Sequence, residues 1–452
     1  MRTRKTMALL AVTALAVAGL SACGNDDGGS ATPPAAETGG EEAPATEVPA
    51  EEEPAEPGEV ITLTWGGWDL DRVPEFRALA DAFNASQDRI VVENVDYPNA
   101  EWLTVMTADL AAGTAPDIIT LRGLPEFATW SAGGMLRDLT HIANSLDPST
   151  QSLDAFVTDG QVQGLPFRQD HWVVYYNADL FAAAGVDTPS GEWTWDEYVE
   201  TARALQAGGL PDGVFPAYQH GWGDSTVGGW AVVQTPGADL FSGDFSFLAP
   251  YYERALILDN EGLQPSFGTV TTGSLHHLAE FGQQRVAMVP MGTWFMSQLV
   301  NPENEVDDFN WSVVAAPQFD DSTLGRPISQ AAVTGVAINA RLDEDKVAAA
   351  EEFITFVVDE GGAAAVAGLG LVPPFTNDAI MDVMFGVSGM PADDVARAAI
   401  TNVDGRIAFP NNPLTAIVVT ILQETHSVIM TESVSIEDGI AQADARFASE
   451  AG

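Results

Sequence analysis

Several loop positions in this chain set tryptophan beside a carboxylate or an arginine. That pairing suits the capture of a polyhydroxylated solute, because hydroxyls need donors and acceptors while weakly apolar C–H faces stack on aromatic rings. Trp68 and Asp69 follow Gly66-Gly67, where small residues let backbone approach a ligand. Asp69 offers an acceptor, and Trp68 offers a stacking face or fills the core. Arg122 stands beside Gly123 at the end of a short apolar run, as a ligand contact or a surface arginine. Trp222 and Asp224 share the glycine-rich segment Gly221-Trp222-Gly223-Asp224. Trp230 follows Gly228-Gly229 and is either a further contact or the start of a buried helix. Trp102, near the loop at 96–99, and Asn411 and Asn412, ahead of a helix, are outlying candidates.

Patterns for catalysis or cofactors are missing from the sequence. It holds no Gly-x-Ser-x-Gly elbow, and His276-His277 lacks the His-Glu-x-x-His zinc spacing. Neither a catalytic residue, a metal site nor a cofactor is expected. An exported glycoside hydrolase stays open as an alternative, since its two carboxylates cannot be recognised by spacing. The net charge of −47 argues against a nucleic-acid partner. It fits a solvated acidic surface, or a cationic solute such as a polyamine. The pairs Tyr175-Tyr176 and Tyr251-Tyr252 would suit a ferric site, but the second reads as helix packing.

The N-terminus carries Arg2, Arg4 and Lys5 ahead of an apolar run over 7–20, which is the pattern of an export leader. The run is shorter than the roughly 20 residues that span a bilayer. The only cysteine, Cys23, follows Leu20-Ser21-Ala22, so no internal disulfide is possible. Leu-Ser-Ala-Cys resembles a bacterial lipobox, implying a signal peptide over 1–22 and a lipid anchor on Cys23 at the outer face of the cytoplasmic membrane. Residues 23–58 are rich in Pro, Ala and Glu with hardly any large apolar residues, as expected of a disordered acidic tether. Its reach is about 30–35 Å.

The remainder is too long for one ordinary core and predicts two α/β lobes. Val60 to Trp65 reads as a strand broken by Gly66-Gly67; a helix is expected over 73–84, a strand at 90–92, a helix over 100–112 and a strand over 115–121. Such alternation implies a parallel, doubly wound sheet whose ligand lies beyond the carboxyl ends of the strands. The loops at 66–71, 96–102 and 122–125 are therefore the first places for a site. Further on, Thr194 and Glu197 form a capping box for a helix.

Five segments carry a resemblance. Gly113-Thr114-Ala115-Pro116-Asp117 is followed by Gly164-Leu165-Pro166 and by Tyr175-Tyr176-Asn177-Ala178-Asp179-Leu180-Phe181 with Trp195-Asp196-Glu197. Then come Arg285-Val286-Ala287-Met288 with Gly292-Thr293-Trp294, and finally Gly370-Leu371-Val372-Pro373 with Phe409-Pro410-Asn411-Asn412-Pro413. In this order they resemble the family 1 extracellular solute-binding proteins, of which maltose-binding protein is the familiar member. Gln284-Arg285 departs from the family's Gly-Lys before the Ala-Met strand.

The resemblance implies a two-lobed periplasmic-binding-protein-like fold of class II type, with a ligand cleft between lobes joined by hinge strands near 172–176, 333–338 and 375–381. Lobe one would combine 60–172 with 334–376, and lobe two 173–333 with 377–452. It further implies capture of a mono- or oligosaccharide by a monomer that delivers it to ABC permease subunits. No Gly-rich Lys-Ser/Thr loop is present, so the ATPase would be another subunit. The family often places a ligand-contacting acid where Asp170 stands, with His171 beside it. It places an aromatic platform where Trp294 stands.

Overall fold

The computed structural model describes residues 60–148 and 150–451. The leader, Cys23 and the tether expected over 23–58 lie outside them. No helix among the described residues is long and apolar enough to cross a membrane.

The first lobe begins with β1 (Ile61–Trp68), whose buried Leu63 and Trp65 anchor it to the core. β1 runs parallel to β2 (Ile90–Tyr97) along its whole length, and parallel to β3 (Ile118–Leu121) on its other side. The strand does not stop at Gly66-Gly67, as the sequence suggested. Both glycines stay paired, with Val95 and Asp96 of β2. They are glycines for lack of room: a Cβ on Gly67 would sit 2.8 Å from the Phe76 ring. The first crossover helix is Glu75–Ser86, with Phe76, Leu79, Ala80 and Phe83 facing the sheet. The second is Trp102–Ala112, ended by Gly113 at φ 78°, the left-handed position that glycine occupies freely.

A two-strand hairpin of β4 (Val157–Thr158) and β5 (Gln161–Val162) precedes the long β6 (Leu165–Asn177). After it come β7 (Phe215–Ala217), β8 (Val286–Gly292), β9 (Trp311–Ala315), β10 (Ile328–Ile338) and β11 (Asp404–Ile407). The main sheet path is β2-β1-β3-β10-β6-β8-β7, with β9 on β6 and β11 on β10. The β2-β1-β3 part has the expected parallel character, and β7 with β8 and β11 with β10 are parallel too. β10 is antiparallel to both β3 and β6.

β6 carries the chain from one lobe to the other. Its residues up to His171 pair with β10, and from Trp172 onward it pairs with β8 and β9. β10 does the same in return, pairing β11 through Ile328–Ala331 and β3 through Gly335–Ile338. A third segment accompanies them, with the Gln169 amide donating to the Val372 carbonyl at 2.9 Å.

Two large apolar clusters flank this crossing. One gathers Trp65, Phe76, Trp102, Phe127, Phe167, Val336 and Phe353, ending at Leu371. The other gathers Trp172, Tyr175, Trp230, Met291, Phe295 and Ile421, and shares the 363–372 stretch with the first through Ala363, Ala367 and Val372. The expected capping box is present: the Thr194 hydroxyl accepts from the Glu197 amide, and Glu197 accepts from the Thr194 amide.

Candidate ligand-binding cleft

Lobe one contributes the turns after β1 and β3. Asp69 sits at φ 45°, and its carbonyl accepts from the Arg72 amide at 2.7 Å, closing the turn. Its carboxylate reaches the Asn99 amide at 3.5 Å, and the Asn99 side chain and carbonyl both accept from Arg122, at 2.9 and 3.0 Å. Asn99 thus joins Asp69 and Arg122 into one polar rim. Arg122 is also paired at 2.8 Å with Glu126, whose carboxyl is buried and pushed above the usual range by that burial. The Arg122 side chain is 37% exposed, and its three guanidinium nitrogens are all engaged by Asn99 and Glu126.

Lobe two contributes aromatic surface. Trp222 is 39% exposed, an unusual state for an indole, and its ring lies 6.0 Å from that of Trp294 at a tilt of 53°. Trp294 is half-buried and packs against both apolar clusters. Gly292 makes its placement possible, because a Cβ there would stand 2.3 Å from the indole Nε1. Asp224 opens a wide π-helical turn, Asp224–Gly229, a geometry often found where a helix serves a site. Gln423 donates to its carboxylate at 3.2 Å, and burial raises its pKa.

Three histidines complete this surface. His220 packs on Trp222 with ring centroids 4.2 Å apart, and His276 on His277 at 3.9 Å. Burial lowers the pKa of all three. For His220 it falls to about 4, with His276 adding to the effect. His276 also feels Arg72, which lowers its pKa, and Asp69, which raises it, so the β1 turn of lobe one faces this cluster.

The hinge strand holds the remaining polar candidates. Arg168 donates to Asp170 at 2.8 Å, to Thr334 at 3.1 Å and to Glu75. Thr293 donates to the other Asp170 oxygen at 2.9 Å. All five residues are buried. Burial alone would lower the Arg168 pKa, but Asp170 and Glu75 outweigh it, and burial in turn raises Glu75. His171 is buried and hydrogen-bonds the Ala399 carbonyl at 3.0 Å. Both hinge candidates are therefore occupied in joining segments of the protein, with Asp170 one residue's reach from the Trp294 loop through Thr293.

Two tryptophans have packing roles instead of open faces. Trp68 is 5% exposed, edge-on to Phe76 and Trp102, which use up its ring. Trp230 is 1% exposed between Trp172 and Trp195, on the wall of a cavity inside lobe two that Tyr251 and Arg254 also line. Trp102 is wholly buried. Asn411 bridges to the β4 hairpin, donating to the Val157 carbonyl at 3.0 Å, and Asn412 caps the Leu414 amide at 2.9 Å.

Sequence reasoning passed over His220 altogether, and set His276-His277 aside because their spacing fits no zinc motif. It also missed Glu75 and Thr293 as partners of the hinge strand. No local signal marks these contacts, since His220, Glu75 and Thr293 each meet partners far away in the chain.

Comparison with known proteins agrees with this architecture. The chain matches the bacterial extracellular solute-binding protein family over residues 67–364. An "uncharacterized lipoprotein in oleD 5′ region" of Streptomyces antibioticus is 26% identical over 265 residues, 55% of this chain; the match spans little more than half, 57%, of that relative. The crystal structure of a sugar transporter from Rhizobium etli in an open conformation superposes with a TM-score of 0.72 at 30% identity, covering 86% of this chain and 99% of that one. An ABC substrate-binding protein from Listeria monocytogenes, in complex with cycloalternan, gives 0.70 at 19% identity over 86% and 98%, a likeness of fold. A family match across most of the chain and the shared two-lobed fold agree: the protein belongs to the bacterial extracellular solute-binding proteins.

Proposed function

We propose that this protein captures a carbohydrate between its lobes, without altering it, and delivers it to the permease of an ABC importer while tethered to the membrane through a lipid on Cys23. The observation that carries the reading is the exposed Trp222 ring set against Trp294, with His220 and His277 packed beside it. Such a surface stacks on sugar C–H faces, while Asp69, Arg122 and Asp224 supply acceptors and donors for hydroxyls. Kinship with a Rhizobium etli sugar transporter at 30% identity supports the same solute class. Lobe one is proposed to combine 60–172 with 334–376, and lobe two 173–333 with 377–452, so that bending of β6 and β10 closes the cleft. A monomer suffices for this action.

The test is titration of purified protein with a panel of mono- and oligosaccharides, polyamines and ferric ion, read by calorimetry and by melting temperature. A native-state ligand raises the melting temperature by mass action. Saturable one-to-one binding of a sugar, recovered unchanged, is the expected result. A response to polyamine or ferric ion alone, or recovery of a hydrolysed sugar, would overturn it.

A further inference from the structure

Of the six histidines in the chain, three meet at one place. His220 comes from the loop after β7, while His276 and His277 lead into the helix His277–Gly282. Each ring offers one nitrogen, and the three nitrogens lie within 4.8 Å of one another. We infer that His220, His276 and His277 form a binding site for a divalent transition-metal ion of the zinc class.

The state of His277 is the strongest support. Its ring is 1% exposed, and its Nε2 stands 3.1 Å from the Gln298 side-chain oxygen. An acceptor there fixes the proton on Nε2 and leaves the Nδ1 lone pair free. That Nδ1 is buried and has no hydrogen-bond partner. A buried unpaired nitrogen is costly unless something accepts its lone pair. A metal ion does so, and the Gln298 contact is the outer hydrogen bond that orients a ligating imidazole.

The other two rings are in the right company and need modest adjustment. The Tyr218 hydroxyl lies 3.4 Å from Nδ1 of His220 and already donates to the Leu275 carbonyl at 2.9 Å. Nδ1 of His220 accepts from the Gly221 amide at 2.9 Å, a bond it gives up when Nε2 binds metal and Nδ1–H turns to donate to the Tyr218 oxygen. His276 would give up a long 3.3 Å contact from the Leu278 amide. Tetrahedral Zn–N bonds of about 2.0–2.1 Å set nitrogens roughly 3.3 Å apart, so the rings must draw together by up to about 1.5 Å. His276 is exposed.

Imidazole donors select zinc, cobalt, nickel or copper, whereas the carboxylates that dominate this acidic surface suit magnesium and calcium. Three protein ligands also leave a fourth position for water or a solute oxygen. The site does not depend on the carbohydrate reading, and its test contains no sugar.

The mature protein, stripped with a chelator and kept in excess Mg²⁺ to saturate surface carboxylates, is titrated with CoCl₂ and then ZnCl₂. The expected result is one equivalent of Co²⁺ with the intense visible bands of a four-coordinate site, displaced by Zn²⁺. Trp222 and Trp294, packed against the rings, should report it through quenched fluorescence. His276→Ala, at an exposed position, should keep its melting temperature and weaken Zn²⁺ binding at least about tenfold, and His220→Ala should weaken that binding as much. Absence of saturable uptake, or uptake unchanged in both variants, would overturn the site. Either result leaves the sugar titration unaffected, so the two readings fail separately.

Discussion

The indole of Trp222 faces that of Trp294 across 6.0 Å, yet only Trp222 is substantially exposed, at 39%. On the proposed reading Trp222 is the platform and Trp294 its support. Trp222→Ala is expected to weaken sugar binding by at least about tenfold, or ~1.4 kcal/mol, while shifting the melting temperature little. Trp222→Phe should recover part of that loss. Calorimetry on both variants checks this, and unchanged affinity in Trp222→Ala would remove the platform.

Gly292 offers a way to move the support without deleting it. A methyl group at this position would clash with Trp294 at 2.3 Å and push the indole out of place. Gly292→Ala should weaken ligand binding by about as much as Trp294→Ala, because both lose the same surface. Comparing the two affinities is the measurement, and normal binding by Gly292→Ala would show that Trp294 does not matter there.

Removing Arg168 should be severe for stability. Glu75 and Asp170 both depend on it for counter-charge within a buried cluster. Leaving buried charge unpaired costs about 3–5 kcal/mol. Arg168→Leu should therefore lower the urea midpoint strongly, and Glu75→Gln introduced alongside it should restore part of the loss. No recovery in the double variant would mean the pair is not coupled.

His426 makes a pH prediction with a definite sign. Burial holds its pKa at about 3 in the folded protein, against 6.5 when unfolded. Above about pH 6.5 neither state is protonated and the residue has no effect on stability. As pH falls below that, the unfolded chain takes up a proton first, so stability is lost progressively toward pH 3. At pH 5 the loss is about 2 kcal/mol. His426→Phe should lose less stability than the parent between pH 7 and pH 5 in urea titrations. Identical slopes would exclude a role for this histidine.

The family's fold was legible because each crossover announces itself locally, as in the helix that ends at Gly113 with φ 78°. The strand through Gly66-Gly67 was misread because glycine usually breaks a strand, whereas here the Phe76 ring leaves no space for a side chain. The candidate site was only partly marked in the sequence. Trp222 and Asp224 stood out by their glycine-rich loop, but nothing in the sequence distinguishes the exposed Trp222 from the buried Trp68 or Trp230. Exposure depends on distant neighbours such as Trp102 and Trp172. The histidine cluster was hidden for the same reason, since His220 meets His276-His277 only after folding.

Because β6 completes the sheets on both sides of the molecule, neither half can be finished alone. Its partners β8 and β10 are made more than a hundred residues later, so these pairings must wait for much of the chain to emerge. Assembly dominated by such distant contacts is slow. A protein built this way stays threadable for longer after synthesis, and once assembled it should melt in one step, with no half able to persist as an independent fragment.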